Sequence, residues 1–241
     1  MTVRTAIILA GGLGTRLRSV VSSIPKPMAP INGRPFLEYL LDYWIEQGIS
    51  RFILSVGYQC TIITEHFGER YRTAEVEYAI EHERLGTGGG LLLATAMLKD
   101  EDAFVLLNGD TFFAVELASL DGFARKAGSD WALSLFRAQE ANRYMGLELT
   151  SEQRILSLAS QRGLPGCLAN GGVYWVRRES LAGLPFAAGH SVSLEDELLP
   201  ALLERGACIS GFAAEGAFID IGIPHDYLRA AQVLINPQKY G

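Results

Sequence analysis

The chain has 241 residues, 49% of them apolar, and a formal net charge of −6. This length and apolar fraction predict one large domain spanning residues 1–241. The acidic balance argues against nucleic acid or an anionic membrane as a partner, because both attract basic surfaces.

Segments that would direct the chain to a membrane or an oxidising compartment are not predicted. No apolar run is long enough to span a bilayer, and the run near the N-terminus is too short for a secretion signal. Cys60, Cys167 and Cys208 are odd in number and widely spaced, which fits neither a disulfide framework nor a zinc site. We therefore expect a cytoplasmic protein with reduced thiols.

Apolar runs and helical patterns alternate through the first half of the chain. Strands are predicted at residues 6–9, 52–56, 76–80, 104–107 and 132–136, and helices at residues 35–47, 59–67, 89–98 and 120–127. This βαβα alternation predicts an α/β fold, a Rossmann-like three-layer sandwich with a mostly parallel central sheet. Its crossovers should be right-handed.

The second half of the chain is less regular. Short strands, some of them antiparallel, are predicted at residues 146–150, 155–158, 168–176, 209–212 and 218–221, and helices at residues 194–205 and 224–234. Pro200 should interrupt the first of these helices or start a second segment there. We therefore expect the chain to form one Rossmann-like α/β domain with a small insertion on the substrate side of the sheet.

The first strand runs into a glycine-rich turn that is followed by two cations. Glycines let backbone N–H groups approach a phosphate without a Cβ clash. Arg16 offers a bidentate fork to phosphate oxygens, and Lys26 offers a point charge on a backbone stiffened by two prolines. The pattern predicts a polyphosphate site, whose candidate residues are Leu9, Ala10, Gly11, Gly12, Gly14, Thr15, Arg16 and Lys26.

Two common phosphate motifs do not fit this turn. A P-loop needs Gly-x-x-x-x-Gly-Lys followed by Ser or Thr, and that string is missing from the sequence. The dinucleotide fingerprint needs a third glycine where Leu17 stands. A dehydrogenase is therefore excluded.

The run Leu-Ala-Gly-Gly-Leu-Gly-Thr-Arg-Leu, with Pro-Lys-Pro downstream, resembles the signature of the sugar-1-phosphate nucleotidylyltransferases. The resemblance implies an enzyme that transfers a nucleoside monophosphate from a nucleoside triphosphate to a sugar 1-phosphate and releases pyrophosphate. It also implies that Mg²⁺ is the cofactor and that Arg16, Lys26 and Asp110 are catalytic.

Two aspartates follow apolar strands and are candidate metal ligands. Asp110 ends an Asn-Gly-Asp run that by itself is more typical of a plain turn. Asp220 is flanked by isoleucines, where a carboxylate is costly to bury without a partner. The alternative for Asp220, an N-cap before the helix at Pro224, fits poorly because the cap position falls closer to Gly222. The family resemblance implies that both aspartates bind the metal.

Residues 81–90 are similar to the nucleobase loop of the family, with Arg84 in place of the usual proline. By position, Glu81 faces the base edge, and Gly86 and Thr87 belong to the nucleotide site. A carboxylate only accepts hydrogen bonds, and guanine presents two adjacent N–H donors where uracil presents one. This favours GTP without excluding another nucleotide.

The sugar phosphate is expected to meet a second set of residues. The Asn170-Gly171-Gly172 run and the Ser193-Leu194-Glu195 run resemble sugar-binding segments of the family. The plainer alternatives are a turn asparagine and a capped helix start at Ser193. The family's phosphate-binding lysine position holds Gln161, so the neighbouring Arg162 is the candidate cation. Gly146, after Tyr144, is the remaining candidate of this set.

Two further stretches narrow the resemblance: residues 23–41, which include Pro-Lys-Pro-Met-Ala-Pro-Ile-Asn-Gly-Arg-Pro, and residues 85–90, Leu-Gly-Thr-Gly-Gly-Gly. Within the family they most resemble the guanylyltransferases of D-glycero-α-D-manno-heptose 1-phosphate, which supply bacterial capsule and surface-layer glycans. Transfer of GMP to mannose 1-phosphate and transfer of UMP to N-acetylmuramate 1-phosphate remain open alternatives. A sensor without catalytic activity should have lost Arg16, Lys26 or one of the aspartates, and none is lost. A homo-oligomer is possible from the sequence.

Overall fold

A computed structural model describes residues 2–12, 24–140, 144–162, 165–186 and 189–235. Within these ranges, the side chains of residues 145 and 159–162 are not described. None of the helices in the described ranges combines the length and apolarity that crossing a bilayer requires.

The elements follow one another in an α/β order. The strands are β1 (Thr5–Leu9), β2 (Pro30–Ile31), β3 (Arg34–Pro35), β4 (Arg51–Val56), β5 (Arg70–Tyr71), β6 (Ala74–Ile80), β7 (Ala103–Asn108), β8 (Thr111–Phe113), β9 (Trp131–Arg137), β10 (Met145–Leu149), β11 (Ile155–Arg162), β12 (Leu168–Arg177), β13 (Ile209–Ala213) and β14 (Phe218–Asp220). The helices are α1 (Phe36–Glu46), α2 (Cys60–Phe67), α3 (Gly86–Thr95), α4 (Leu117–Ala127), α5 (Leu199–Glu204) and α6 (Pro224–Ile235), and the helical turns are Lys26–Met28, Arg178–Leu181 and Leu194–Leu198.

Parallel strands in the order β7-β1-β4-β6 form the centre of the main sheet. β12 joins β7 in the antiparallel sense, carries β9 on its other side, and pairs with β10 at Ala169. β13 pairs parallel with β9, and β11 closes the edge beside β10. The predicted α/β fold with a parallel central sheet is therefore confirmed, and the antiparallel strands come from the second half of the chain, as expected.

Apolar side chains cover both faces of the sheet, which gives three layers. On one face, α1, α2, α4 and α6 contribute buried side chains to a single cluster that includes Phe36, Trp44 and Leu120. On the other face, α3, α5 and the Leu194–Leu198 turn pack around Leu91 and Leu202. A parallel sheet buried on both faces reads as continuous apolar runs, which is the pattern of β4 and β7.

Most predicted elements are present, with ends shifted by a few residues. Strand β11 ends at Arg162 rather than at residue 158, and α3 begins at Gly86 rather than at residue 89. The N–H groups of Gly88 and Gly89 both donate to Val192 O, so a tertiary contact holds the glycines in a helical turn that their propensity disfavours. The interruption at Pro200 is confirmed: a π-helical turn, Leu194–Leu198, precedes α5.

Strand β8 was not predicted from the sequence, and it matters most for the site. It has three residues and pairs antiparallel with β14, so that Asp220 lies opposite Thr111. A strand this short has no detectable alternation of its own, and its partner lies about 100 residues further along the chain.

Candidate active site

A cavity of about 560 Å³ opens at the carboxyl ends of the central strands. Ligands of open α/β sheets bind beyond these strand ends. Most predicted site residues that the structure describes line the cavity, namely Leu9, Ala10, Gly11, Gly12, Lys26, Glu81, Gly86, Thr87, Asp110, Asn170, Glu195 and Asp220. The structure therefore brings together residues from the whole length of the chain.

The remaining predicted residues are not found in the lining. Gly14, Thr15 and Arg16 lie outside the described residues. Arg162 is the last residue of β11, and its side chain is outside the described part as well. Gly146 is buried in β10, where it pairs with Ala169, and the cavity lining contains its neighbour Tyr144, so a role for Gly146 in sugar binding stays a prediction.

The pairing of β8 with β14 brings the two aspartates to one end of the cavity. The N–H group of Ile221 donates to Asp110 O at 3.0 Å, which fixes the two strand ends side by side. Lys26 Nζ lies 2.5 Å from Asp110 Oδ2 and 3.6 Å from Asp220 Oδ1. Both carboxylates therefore face one ammonium group.

Lys26 reaches this position from a short helical turn. Pro25 precedes the turn, and its carbonyl accepts the Met28 N–H at 2.8 Å. The Lys26 side chain is only 8% exposed, and burial of a charge is costly unless an opposite charge compensates it. The two aspartates supply that compensation.

Gly222 completes this corner of the cavity. Its N–H donates to Asp220 Oδ1 at 2.6 Å, which is an Asx-type turn that orients the carboxylate. A Cβ atom at this position would collide with Lys26 Nζ. Asp220 therefore makes a local turn contact just before α6, although not as the N-cap, and it also faces the cavity.

The oxygen atoms around Asp110 suit a hard divalent cation. Within the described residues there is no group of three or more acidic, histidine or cysteine side chains that could hold a metal. Mg²⁺, however, is usually bound by one or two carboxylates together with substrate phosphates and water. The buried Asn108 Oδ1 and Thr111 Oγ1, on either side of Asp110, have no hydrogen-bond partner among the described residues. Their donor chemistry fits such an ion.

Glu81 is held firmly at the opposite side of the cavity. Ser55 Oγ donates to Glu81 Oε1 at 2.9 Å, and the Leu85 N–H donates to Oε2 at 3.3 Å. A Cβ atom on Gly11 would lie 2.5 Å from Oε1, and one on Gly90 would lie 2.8 Å from it. Only glycine at these two positions leaves room for the carboxylate.

Asn170 is oriented by its own strand. Its Nδ2 donates to the Tyr174 hydroxyl at 2.7 Å, and its Oδ1 accepts the Gly172 N–H at 3.0 Å. Gly172 has a φ of 74°, and a Cβ atom there would lie 2.5 Å from Thr111 Oγ1. The glycine thus lets β12 approach β8 beside the aspartates.

Glu195 projects from the π-helical turn that follows Ser193. Ser193 Oγ accepts the Asp196 N–H at 3.1 Å, which confirms the capped helix start. Solvent reaches Glu195 through the cavity, yet desolvation by the surrounding walls raises the pKa of its carboxyl, and the charges of Asp196 and Asp110 add to the rise. Thr87 Oγ1 donates to Glu195 Oε2 at 3.2 Å, and this hydrogen bond lowers the pKa and so counteracts part of the rise.

The sequence reasoning did not assign Asn108, Thr111, Tyr144 and Phe218 to the site, and the structure adds them to the lining. Phe218 stacks on Phe136 with centroids 3.9 Å apart, and Tyr144 meets both rings edge-on. A signal existed for Phe218, because residues two apart on a strand share a face and Phe218 precedes Asp220 by two. Asn108 and Thr111 could have been found as the polar neighbours of Asp110.

Comparison with known proteins gives a consistent picture. Residues 5–236 match the family described as Nucleotidyl transferase. The chain is 39% identical to a D-glycero-alpha-D-manno-heptose 1-phosphate guanylyltransferase from Aneurinibacillus thermoaerophilus, over 95% of this chain and 97% of that protein. It is 38% identical to the protein of the same name from Campylobacter jejuni subsp. jejuni, over 92% of this chain and 96% of that one.

The fold is also similar to a solved structure. The crystal structure of HddC from Yersinia pseudotuberculosis superposes with a TM-score of 0.84 and 32% sequence identity, covering 95% of this chain and 98% of that one. The same protein was crystallised in complex with GMP-PN, and that structure gives a TM-score of 0.83.

Proposed function

Since the chain belongs to the nucleotidyl transferase family, we propose that it transfers GMP from GTP to D-glycero-α-D-manno-heptose 1-phosphate and releases pyrophosphate. The chain is a nucleotidyltransferase whose substrates are a nucleoside triphosphate and a sugar phosphate. The proposal adds the identity of the base and of the sugar, and the roles of individual residues.

One observation supports this function above the others. The identity of 38–39% to heptose 1-phosphate guanylyltransferases extends over nearly the full length of both chains. The cavity agrees with that assignment, because it combines a buried cation, two carboxylates and a carboxylate suited to a base edge. These are the groups that guanylyl transfer requires.

Nucleotidyl transfer depends on positioning and charge neutralisation more than on proton transfer. An oxygen of the sugar phosphate attacks the α-phosphorus in line, the new P–O bond forms, and the bond to the leaving pyrophosphate breaks. Lys26 offsets charge on the α-phosphate, and Arg16 stabilises the pyrophosphate. No general base is needed, because a phosphate monoester is already anionic near neutral pH.

Family members use a divalent metal, and we propose Mg²⁺ here. Asp110 and Asp220 would hold it. A bound cation of this kind neutralises phosphate charge and orients the reacting groups. Lys26 already balances both carboxylates in the structure, so the chain's own ammonium group lies where positive charge is needed.

The base is selected at the opposite side of the cavity. Glu81 keeps lone pairs after accepting from Ser55 and Leu85, and two adjacent guanine N–H donors match them. The turn at residues 9–12 contributes backbone to the nucleotide site, together with Gly86. Arg84, in the loop at residues 81–90, also lines the cavity and contributes a positive charge there.

Sugar hydroxyls are proposed to bind Asn170 and Glu195, and the ring is proposed to pack against the Tyr144 and Phe218 side chains. Aromatic faces bury the apolar face of a ligand while their polar neighbours fix its orientation. Arg162 remains the candidate cation for the sugar phosphate. We also propose that residues 1–241 act as one cytoplasmic domain, in a pathway to capsule or surface glycans.

The test is a pyrophosphate-release assay that crosses four nucleoside triphosphates with a panel of sugar 1-phosphates. We expect the highest kcat/KM for GTP with the heptose 1-phosphate. Mannose 1-phosphate is the main alternative acceptor, because the chain is 34% identical to a mannose-1-phosphate guanylyltransferase from Mycobacterium tuberculosis over 95% of this chain and 64% of that protein. Turnover with UTP and N-acetylmuramate 1-phosphate but not with GTP would overturn the base assignment.

A further inference from the structure

The first turn of α3 is joined backbone to backbone with residues 190–194, which lead into the turn that carries Glu195. The Val192 N–H donates to Leu85 O at 2.7 Å, and the Gly88 N–H donates to Val192 O at 2.8 Å. A Cβ atom on Gly86 would lie 2.6 Å from Val192 O, so the two backbones touch. The loop assigned to the nucleotide and the segment assigned to the sugar therefore form one rigid contact.

Thr87 adds a side-chain link across this contact. Its Oγ1 accepts the Leu194 N–H at 2.8 Å and lies 3.2 Å from Glu195 Oε2. An ionised carboxylate has no proton to donate, so the Thr87 hydroxyl is the donor in the second bond. A hydroxyl has one proton, and here that proton is directed to Glu195.

We propose that Thr87 is a positioning residue for Glu195: its hydroxyl fixes the carboxylate toward the sugar and thereby sets the affinity for the sugar 1-phosphate. This rests on the proposed function, in which Glu195 binds sugar hydroxyls. It assigns the Thr87 side chain to the sugar and leaves only its backbone for the nucleotide.

The surroundings of Glu195 explain why such a restraint is needed. Glu195 projects from a π-helical turn, and no second side chain bonds its carboxylate among the described residues. The turn itself is held independently, since Ser193 Oγ accepts the Asp196 N–H and the Ser193 N–H donates to Glu197 Oε2. Loss of the Thr87 hydroxyl should therefore release the carboxylate without unfolding the turn.

The experiment compares Thr87→Val and Thr87→Ser in steady-state guanylyl transfer. Valine keeps the shape and removes the hydroxyl, which takes away both the bond to Glu195 and the acceptor of the Leu194 N–H. The KM for the sugar 1-phosphate should rise by about tenfold, the size expected from the lost bond to the Glu195 carboxylate. The KM for GTP and kcat should change by less than about twofold. Serine restores the hydroxyl and should restore the KM for the sugar.

A double-mutant cycle with Glu195→Ala separates positioning from general damage to α3. If Thr87 acts through Glu195, Thr87→Val should add nothing to the sugar KM in the Glu195→Ala background. Thr95→Val is the matched control, because Thr95 donates to Leu92 O at 2.8 Å at the other end of the same helix. It should leave both KM values unchanged.

The inference and the proposed function fail in different ways. A wild-type enzyme without guanylyl transfer to any sugar 1-phosphate would refute the proposed function. A fully active wild type whose Thr87→Val variant has an unchanged sugar KM, or a raised GTP KM, would refute only the role of Thr87. Additive effects of Thr87→Val and Glu195→Ala would refute it as well.

Discussion

Lys26 Nζ and Asp110 Oδ2 lie 2.5 Å apart although 84 positions separate the residues in sequence. The ammonium group also faces Asp220 at 3.6 Å. A cation that binds to both carboxylates must compete with this ammonium group for the same oxygen atoms. The pair therefore links the charge of Lys26 to the occupancy of the metal site that we propose at Asp110 and Asp220.

Lys26→Gln should strengthen the binding of a divalent cation while it weakens turnover. Loss of the ammonium charge leaves two uncompensated carboxylates, so we expect Mn²⁺ to bind about tenfold more tightly in the absence of nucleotide. Turnover should fall by about a hundredfold, because one charge-stabilising group is lost. Electron paramagnetic resonance of free Mn²⁺ measures the first effect. Weaker Mn²⁺ binding would contradict competition between Lys26 and the metal.

Gly11→Ala should impair selection of the base. The added Cβ atom would meet Glu81 Oε1 at 2.5 Å and displace the carboxylate. We expect kcat/KM for GTP to fall by about tenfold or more, with a smaller loss for UTP, as one charged hydrogen-bonding group moves. Gly122→Ala, whose Cβ would have no atom within 4 Å, is the control. An unchanged GTP-to-UTP ratio in Gly11→Ala would contradict the role of Glu81.

The affinity for the sugar should depend on the ionisation of Glu195. Desolvation raises its pKa, so the carboxylate becomes protonated at a higher pH than an ordinary glutamate. We expect the sugar KM to rise as the pH falls through that pKa, and Glu195→Gln to remove this part of the profile. Asp196→Asn removes a neighbouring negative charge and should shift the acid limb to lower pH. A Glu195→Gln variant whose pH profile matches that of the wild type would exclude Glu195 from sugar binding.

Arg51 should contribute strongly to stability. It is 7% exposed and bonds both oxygens of Glu77, at 2.9 and 3.1 Å, and Glu101 at 2.7 Å. Arg51→Ala leaves these carboxylates without their partner and should lower the free energy of unfolding by about 3 kcal/mol. Arg70→Ala breaks an exposed pair at 4.0 Å and should cost less than about 0.5 kcal/mol.

The effect of Arg51 should also depend on pH. Hydrogen bonding to Arg51 lowers the pKa of Glu77, so the stabilisation is complete above the unfolded pKa of about 4.3 and is lost as the pH falls through the folded pKa. Denaturant unfolding at neutral and acidic pH checks this. An Arg51→Ala deficit that stays constant to a pH of about 3, below the unfolded pKa, would contradict the ion-pair explanation.

The sequence predicted the fold well because its signals are local and periodic. The apolar runs of β4 and β7 and the spacing of apolar residues in α1 identify a buried sheet covered by helices. The order of the elements then limits the topology to a few possibilities. The family motifs added the site residues, most of which line one cavity.

What the sequence did not predict depends on contacts between distant segments. Strand β8 exists because β14 pairs with it, and α3 begins early because Val192 accepts its glycine N–H groups. The link from Thr87 to Glu195 spans 108 positions and leaves no periodic trace. The sequence pointed to the segment that contains Tyr144 and Gly146. Only the fold shows that the cavity lining includes Tyr144 and not Gly146.

We propose that Asp110 and Asp220 bind one metal ion in the cavity that Gly11 and Gly12 also line. Anomalous diffraction from crystals grown with Mn²⁺ and a non-hydrolysable GTP analogue tests it most directly. We expect one strong anomalous peak within bonding distance of a carboxylate oxygen of each aspartate, with Lys26 turned toward the phosphates. A peak elsewhere in the molecule, or one bound by neither aspartate, would contradict the account.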